Sequence, residues 1–324
     1  MKTAKLGEGL TRVPNYCFQN CSALESVTIG NAVTAIGNYA FDGCVGLTDV
    51  NIPDNVTIIN EYAFNGCVGL PSMVIPNSVT NIYARAFYGC TGLQTLTLGN
   101  SLALLGDFAF YNCRGLKSVK LPSTLTSIGQ YVFQNCTGLT DLKFENAIVG
   151  NYMFAGCTGL TEVILPENLT RIGNYAFNGC TGIKRLTLGV GITTLGQNAF
   201  YGCDAIDSIY SKSDIAPSMG NANCFSANVY NNATLFIPIG ATEDYQLTNY
   251  WNKFLHIVEM DMDVVLGDID GDGRVGIADV VELIDLLLGG NVTAADYPAA
   301  DVDGDGKITV ADVTDLIDTL LTIN

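Results

Sequence analysis

Tyr39–Phe64 reads YAFDGCVGLTDVNIPDNVTIINEYAF and closes on the three residues with which it opened, 23 positions later. The same unit runs through most of the chain. Phe recurs at 18, 41, 64, 87, 110, 133, 154, 177 and 200, with seven intervals of 23 residues and one of 21, between Phe133 and Phe154. Three residues after each Phe stands a Cys: Cys21, Cys44, Cys67, Cys90, Cys113, Cys136, Cys157, Cys180 and Cys203. Between them, as at Gly43, Gly66, Asn112 and Asn135, every repeat has Gly or Asn. These residues best tolerate a left-handed backbone, so a short helical turn is expected to stop there. Leu47-Thr-Asp-Val50-Asn-Ile52 then alternates as a strand does, and a second apolar pair follows, as in Val33 and Ile36.

One unit buries too little apolar surface to stand alone, whereas stacked neighbours share a continuous core. At roughly 4.8 Å per strand, nine repeats give a rod or arc about 40 Å long. The pattern is that of a leucine-rich-repeat solenoid. Its string, AFxGCxGLxxVxIPxxVTxIGxYAF, closely resembles the BspA-like leucine-rich repeats of bacterial surface proteins, over about residues 10–210. That resemblance implies a secreted or surface-exposed protein used in adhesion or partner binding, usually without catalysis.

Nine stacked Cys would have Cα atoms roughly 5 Å apart, within disulfide reach. They point the same way into a dry core, however, and the total of eleven is odd. The expectation is therefore a ladder of reduced thiols acting as small hydrophobes. One Cys per repeat also lacks the close pairs of a metal clip. A second column, two residues before each Phe, holds Tyr16, Tyr39, Tyr62, Phe108, Tyr131, Tyr152 and Tyr175, interrupted by Arg85 and Asn198. Such a stripe either covers neighbouring repeats or stacks against sugar rings and protein partners. On the strand face Lys117, Lys120 and Lys143, with Lys184 and Arg185 further along, form either a solvated surface or a recognition patch for a partner with acidic groups.

Residues 1–204 are read as the solenoid and 205–264 as its closing segment, where the period fails. Leu235–Pro238 is expected as a strand and Ala241–Thr248 as a short helix, with Tyr245, Trp251 and Phe254 over the last repeat and His256 within the apolar packing. Composition excludes other classes. Formal net charge is −17, which gives no general field for nucleic acid, and one His cannot build a multi-histidine metal site. Hydrophobic residues make up 48%, yet no run is long enough to span a membrane. The first twenty residues lack the apolar core of a signal peptide, and the expectation is a mature form from which one was removed.

The charge is uneven. Residues 265–324 carry 2 Lys/Arg and 13 Asp/Glu, a net of −11, against −6 for residues 1–264. This segment holds GDIDGDGRVGIADVVELIDLLLG and ADVDGDGKITVADVTDLIDTLLT, duplicates offset by 33 residues. Asp268, Asp270, Asp272 and Asp279, and likewise Asp301, Asp303, Asp305 and Asp312, fall at positions 1, 3, 5 and 12 of a twelve-residue calcium loop. Gly273 and Gly306 take position 6, and Arg274 and Lys307 at position 7 offer a carbonyl. Alternate carboxylates converging on one point suit a hard cation, so two Ca²⁺ sites are expected. Val280, Leu283, Ile284 and Leu287, matched by Val313, Leu316, Ile317 and Leu320, give each loop a following helix.

Asp at position 12 and the lack of a preceding helix separate the pair from ordinary EF-hands. Loop then helix, twice, resembles a type I dockerin. That resemblance implies docking to cohesin modules on scaffolding proteins, often of polysaccharide-degrading assemblies, with contacts at loop positions 10 and 11. Here those positions are Ile277-Ala278 and Val310-Ala311 rather than the usual Ser-Thr type pair. The apolar pairs would serve another cohesin type or pack against this protein's own solenoid.

The expected fold is thus an α/β leucine-rich-repeat solenoid of about nine repeats with a C-terminal cap, followed by a small all-α dockerin-like domain. The expected function is non-catalytic: an extracellular or cell-surface binding protein whose solenoid recognises a protein or glycan, docked through its calcium module. In one alternative the module only caps the solenoid. In another the chain is a polysaccharide-degrading enzyme, with carboxylates such as Asp141 and Glu162.

Overall fold

The computed structural model describes residues 1–145, 148–262, 267–270, 275–290, 292–294, 296–304 and 306–322. Each turn of the repeat contributes two short parallel strands, so two strand columns run along the solenoid. The first column includes Ser26–Thr28, Asp49–Val50, Ser118–Leu121, Asp141–Phe144, Arg185–Leu188 and Ser208–Ser211. Its register equals the period, with Ser26 opposite Asp49, Ser118 opposite Asp141 and Arg185 opposite Ser208. The second column consists of two-residue strands such as Ala35–Ile36 and Ile58–Ile59, built from the second apolar pair of each repeat. Equal register places every residue over its counterpart, which turns a sequence period into ladders.

The Phe ladder is the spine. From Phe18 to Phe200 neighbouring rings stack with centroids 5.0–5.6 Å apart, including across the shortened Phe133–Phe154 interval. Beside it lies the thiol ladder. The Sγ of Cys44, Cys67, Cys90, Cys113, Cys136, Cys157, Cys180 and Cys203 each donates to the carbonyl of a Phe one turn back, at 3.0–3.3 Å. Cys is therefore more than a small hydrophobe here. It gives a buried carbonyl a second donor, beside the Cys N–H of that carbonyl's own turn, as Cys21 N–H donates to Phe18 and Cys44 N–H to Phe41. Burial pushes the Cys44 thiol up to about 11 and that of Cys136 up to about 12.

The loop between the strand columns differs from expectation. Consecutive tight turns replace a helical turn, and there are two left-handed positions per repeat. Gly or Asn two residues after the Phe is one, as expected: Gly43 has φ +69° and Asn112 +62°. The other is the Tyr column itself, where Tyr39, Tyr62, Phe108, Tyr131, Tyr152 and Tyr175 have φ between +54° and +62°. For a non-glycine residue that conformation costs about 1–2 kcal/mol. The hydrogen bonding explains it: Tyr39, Phe41 and Gly43 donate their N–H groups to Glu61, Ala63 and Asn65 of the next turn, at 2.8–3.0 Å. The left-handed residue turns alternate amides along the solenoid axis, so the loop becomes a third ladder.

The solenoid continues past Cys203. Phe225 stacks on Phe200 at 5.4 Å, and the Phe200 N–H donates to the carbonyl of Cys224. Thr234–Pro238 then adds to Ser208–Ser211, and His256–Met260 adds to Thr234–Pro238, all in parallel. Helix Thr242–Leu247 carries Tyr245, whose hydroxyl bonds Ser211 Oγ at 2.7 Å, and Trp251 Nε1 donates to the Pro217 carbonyl. Tyr245, Trp251 and Phe254 are buried around Phe225 and close the core. His256 does not join them. It is exposed, because it opens the last strand of the sheet and its side chain faces water.

The C-terminal module has a core of its own. Helices Ile277–Gly289 and Val310–Thr322 pack around buried Leu283, Ala300, Val302, Ile308 and Leu316. Ile284 and Ile317, expected to face inward, are each about two-fifths exposed, so the packed stripe is narrower than the periodicity implied.

Candidate metal centres and partner surfaces

The two acidic loops fold as one design repeated. Carboxylate oxygens of Asp268, Asp270 and Asp279 all lie within 4.8 Å of one another, as do those of Asp301, Asp303 and Asp312. Asp272, Arg274 and Asp305 fall outside the described residues. Lys307, at position 7 of the second loop, is exposed.

Position 12 organises each loop. Asp279 Oδ1 accepts from the N–H groups of Ile269 (2.7 Å) and Asp270 (3.2 Å), and Oδ2 accepts from Gly276 at the helix start (2.7 Å). Asp312 repeats the arrangement, accepting from Asp303 (3.1 Å) and Thr309 (2.7 Å). Burial pushes the Asp279 carboxyl up, but the N–H groups of Gly276, Asp270 and Ile269 outweigh it and hold the group below its ordinary value. It is a carboxylate at the positive end of a helix, held ionised by backbone donors. In the second loop Gly306 has φ +82°, the sharp turn that position 6 requires, and its N–H donates to Asp301 Oδ2 at 3.0 Å. Purely oxygen donors with convergent negative charge fit calcium and do not suit the softer transition metals.

The helices carry a feature that the sequence reading missed. On the first, Ile277, Val281, Ile284 and Leu288 are exposed at spacings of 4, 3 and 4, which is one continuous face. On the second, Val310, Ile317 and Leu321 occupy the corresponding positions, with Thr314 in place of the remaining apolar residue. Ala278 and Ala311 are exposed beside them. The signal was present in the doubled apolar content of each helix, more than one core stripe uses.

On the solenoid, Lys120 and Lys143 sit side by side on paired strands. Lys120 reaches Glu145 at 2.7 Å and Lys143 reaches Asp141 at 3.8 Å, so part of the positive charge is already neutralised; Lys117 is exposed nearby. Asp141 and Glu162 are exposed and paired with Lys143 and Arg185, an open setting unlike that of a catalytic acid. The Tyr column stacks at 4.5–5.1 Å, with Arg85 held over Tyr62 and Phe108. Along the column neighbouring rings occupy one another's faces, while Tyr16 at its end is exposed and stacks on Tyr39.

A parallel solenoid with inter-turn ladders, joined to a twin acidic-loop module, defines a repeat-based interaction protein. The BspA type leucine-rich repeat region (6 copies) matches residues 1–71, 57–149 and 147–246, and the dockerin type I domain matches residues 266–321. The chain belongs to the BspA-type leucine-rich repeat family and carries a dockerin type I domain. Among solved structures it is similar to a leucine-rich repeat protein from Bacteroides ovatus ATCC 8483, at 25% identity over 72% of this chain and 68% of that one, with a TM-score of 0.55. A leucine-rich cell surface protein from Faecalibacterium prausnitzii A2-165 matches at 23% identity over 65% and 88%, with a TM-score of 0.35. The pneumococcal vaccine antigen PcpA matches at 14% over 81% and 89%, with a TM-score of 0.47. No curated protein matches. Both families are interaction modules, and dockerin type I domains generally bind Ca²⁺ and imply a cohesin partner. Among the described residues no helix is long and apolar enough to cross a membrane.

Proposed function

We propose that this chain is a non-catalytic binding protein of the cell exterior. Residues 1–204, closed by 205–264, present the strand face around Lys117, Lys120 and Lys143 to an extracellular protein or glycan. Residues 265–324 hold two Ca²⁺ and attach the chain to a cohesin-type partner. The first ion is held by Asp268, Asp270, Asp272, Asp279 and the Arg274 carbonyl. The second is held by Asp301, Asp303, Asp305, Asp312 and the Lys307 carbonyl. Bound calcium supplies neutralisation that lets four carboxylates share one loop, while Asp279 and Asp312 tie each loop to its helix.

The observation that carries the docking reading is the pair of exposed apolar faces, led by Ile277 and Val310, set just after the metal-binding turns. Apolar residues aligned on the water side of a small, otherwise acidic module are what a partner covers. The apolar character at positions 277–278 and 310–311 favours a cohesin whose own surface is apolar there. The test is binding of the full chain to immobilised cohesin domains of several types in millimolar calcium and in chelator. Calcium-dependent binding should fall at least tenfold in the double variant Ile277→Lys, Val310→Lys, with the melting curve unchanged. Equal binding by the variant would remove these faces from the reading.

A further inference from the structure

We infer that the solenoid is itself a ligand of the second calcium loop, and that closure of this internal contact and calcium binding at that loop strengthen each other. The inference rests on the reading of Asp301, Asp303 and Asp312 as a calcium site. The contact is visible first as a break in strand alternation. In Glu162–Ile164 the outward positions are exposed, and in Arg185–Leu188 they are half-buried. In Ser208–Ser211 every position is buried, because something covers the outward side chains of Ser208 and Tyr210. That cover is the second loop.

Gly304, with φ +74°, lies against Tyr210 and Phe236, whose rings stack at 4.7 Å. A Cβ at Gly304 would come within 2.6 Å of the Tyr210 hydroxyl and 3.3 Å of Ser208 Cβ, so only glycine lets the loop approach this closely. The Arg185 guanidinium donates to the Val302 carbonyl, and Asp301 and Val302 are buried. Among the described residues of the first loop, Asp268 and Ile269 are half-buried and Asp270 is exposed, against the buried Asp301 and Val302. The seat also differs from the docking faces, since Ile277 and Val310 remain outside it.

Charge couples the contact to calcium. Asp303 and Asp315 share a cavity of about 380 Å³ with Asp207 and Thr234 of the solenoid, and Glu162 stands beside Arg185. A metal-free loop would bring its carboxylates against Asp207 with Arg185 as the facing cation. A divalent ion offsets two of the four carboxylate charges, so the repulsion from Asp207 falls while the Val302 carbonyl stays bonded to Arg185. Only residues 261–266 separate the last solenoid strand from Gly267, so the loop meets its seat at a high effective concentration. Linkage then requires that whatever calcium does for the contact, the contact does for calcium affinity.

The experiment uses the full chain, titrated with calcium by calorimetry. Asp268→Ala silences the first site and leaves the second to be read alone. Adding Ser208→Phe, which fills the seat under Gly304 without changing charge, should weaken that remaining site about five- to fifty-fold, with the solenoid melting transition unmoved. In the unmutated chain, chelator should speed amide exchange at residues 207–211 and 234–238 but leave residues 95–121 unchanged. Unaltered affinity in Ser208→Phe together with calcium-independent exchange at 207–211 would overturn the linkage while leaving the calcium sites standing. Absence of any calcium binding by the unmutated chain would overturn both.

Discussion

Phe110 in the solenoid and Asp312 in the C-terminal module are equally inaccessible to water, at 0% exposure. Phe110 is held between the rings of Phe87 and Phe133, so its environment is a repeated copy of itself. Asp312 is held by backbone amides and lies among carboxylates, so its environment gathers like charge. One region is built on additive apolar stacking, with each turn stabilising the next. The other concentrates net negative charge, and on the proposed function its stability is expected to depend on bound calcium. The two should therefore answer different questions when perturbed.

The largest separation is expected from chelation. Millimolar calcium over a micromolar Kd stabilises by roughly 4 kcal/mol per site, comparable to the whole stability of a sixty-residue domain. Two melting transitions are expected in calcium, of which only that of the module should be lost in chelator. A single transition that ignores chelator would erase the contrast. Phe110→Ala should act the other way round. It removes a ring from the middle of the ladder and should cost the solenoid about 3–5 kcal/mol, with the calcium-dependent transition unmoved.

The thiol ladder sharpens the contrast further. Cys113→Ala deletes the thiol donor to the Phe87 carbonyl, which keeps the Cys90 N–H, a cost of about 0.5–1.5 kcal/mol by denaturant unfolding. Cys113→Ser keeps a donor and should cost less. Burial raises the thiols of Cys44 and Cys136 to about 11 and about 12 from 9.0, so folding favours their protonated form. Solenoid stability should thus be flat in pH below 9.0, where both states keep the protons, and should fall as pH rises through those higher values. A maximum above pH 10 would contradict this sign.

The smallest effect is expected at the surface. Reversing Lys117, Lys120 and Lys143 to Glu should change solenoid stability by under about 1 kcal/mol, because the existing pairs are exposed. The readout of interest is binding to an acidic partner, which should weaken and lose its salt dependence. Unchanged binding across extracellular proteins and glycans would reduce the patch to a solvated face.

Much of this architecture was legible because each signal is repeated. A single Phe or Cys says little, whereas a fixed spacing of 23 residues specifies which atoms stack. The left-handed Tyr column was not legible, since no local preference of Tyr demands that conformation; inter-turn amides impose it. Phe225 was hidden because its interval stretches to 25 residues and its neighbouring Cys precedes it. His256 and Ile284 were misplaced for a related reason, as apolar neighbours in sequence do not fix which side of a strand or helix faces the core. The acidic loops were readable from spacing and duplication. The seat for the second loop was not, because Arg185 and Val302 lie 117 residues apart and no period links them.

The direction of the thiol hydrogen bonds has a consequence for how such a chain can change over generations. Every Sγ from Cys44 to Cys203 donates backward, toward the turn already present, and the loop amides reach forward to the turn that follows. Each turn thus presents the same edge behind it and the same edge ahead. Removing one unit, such as residues 88–110, joins Phe87 to Tyr111 with every donor still facing an acceptor of the right kind. Repeat number is therefore a free variable, open to duplication and loss by simple recombination. The reach of the molecule can be lengthened or shortened without redesigning what holds it together.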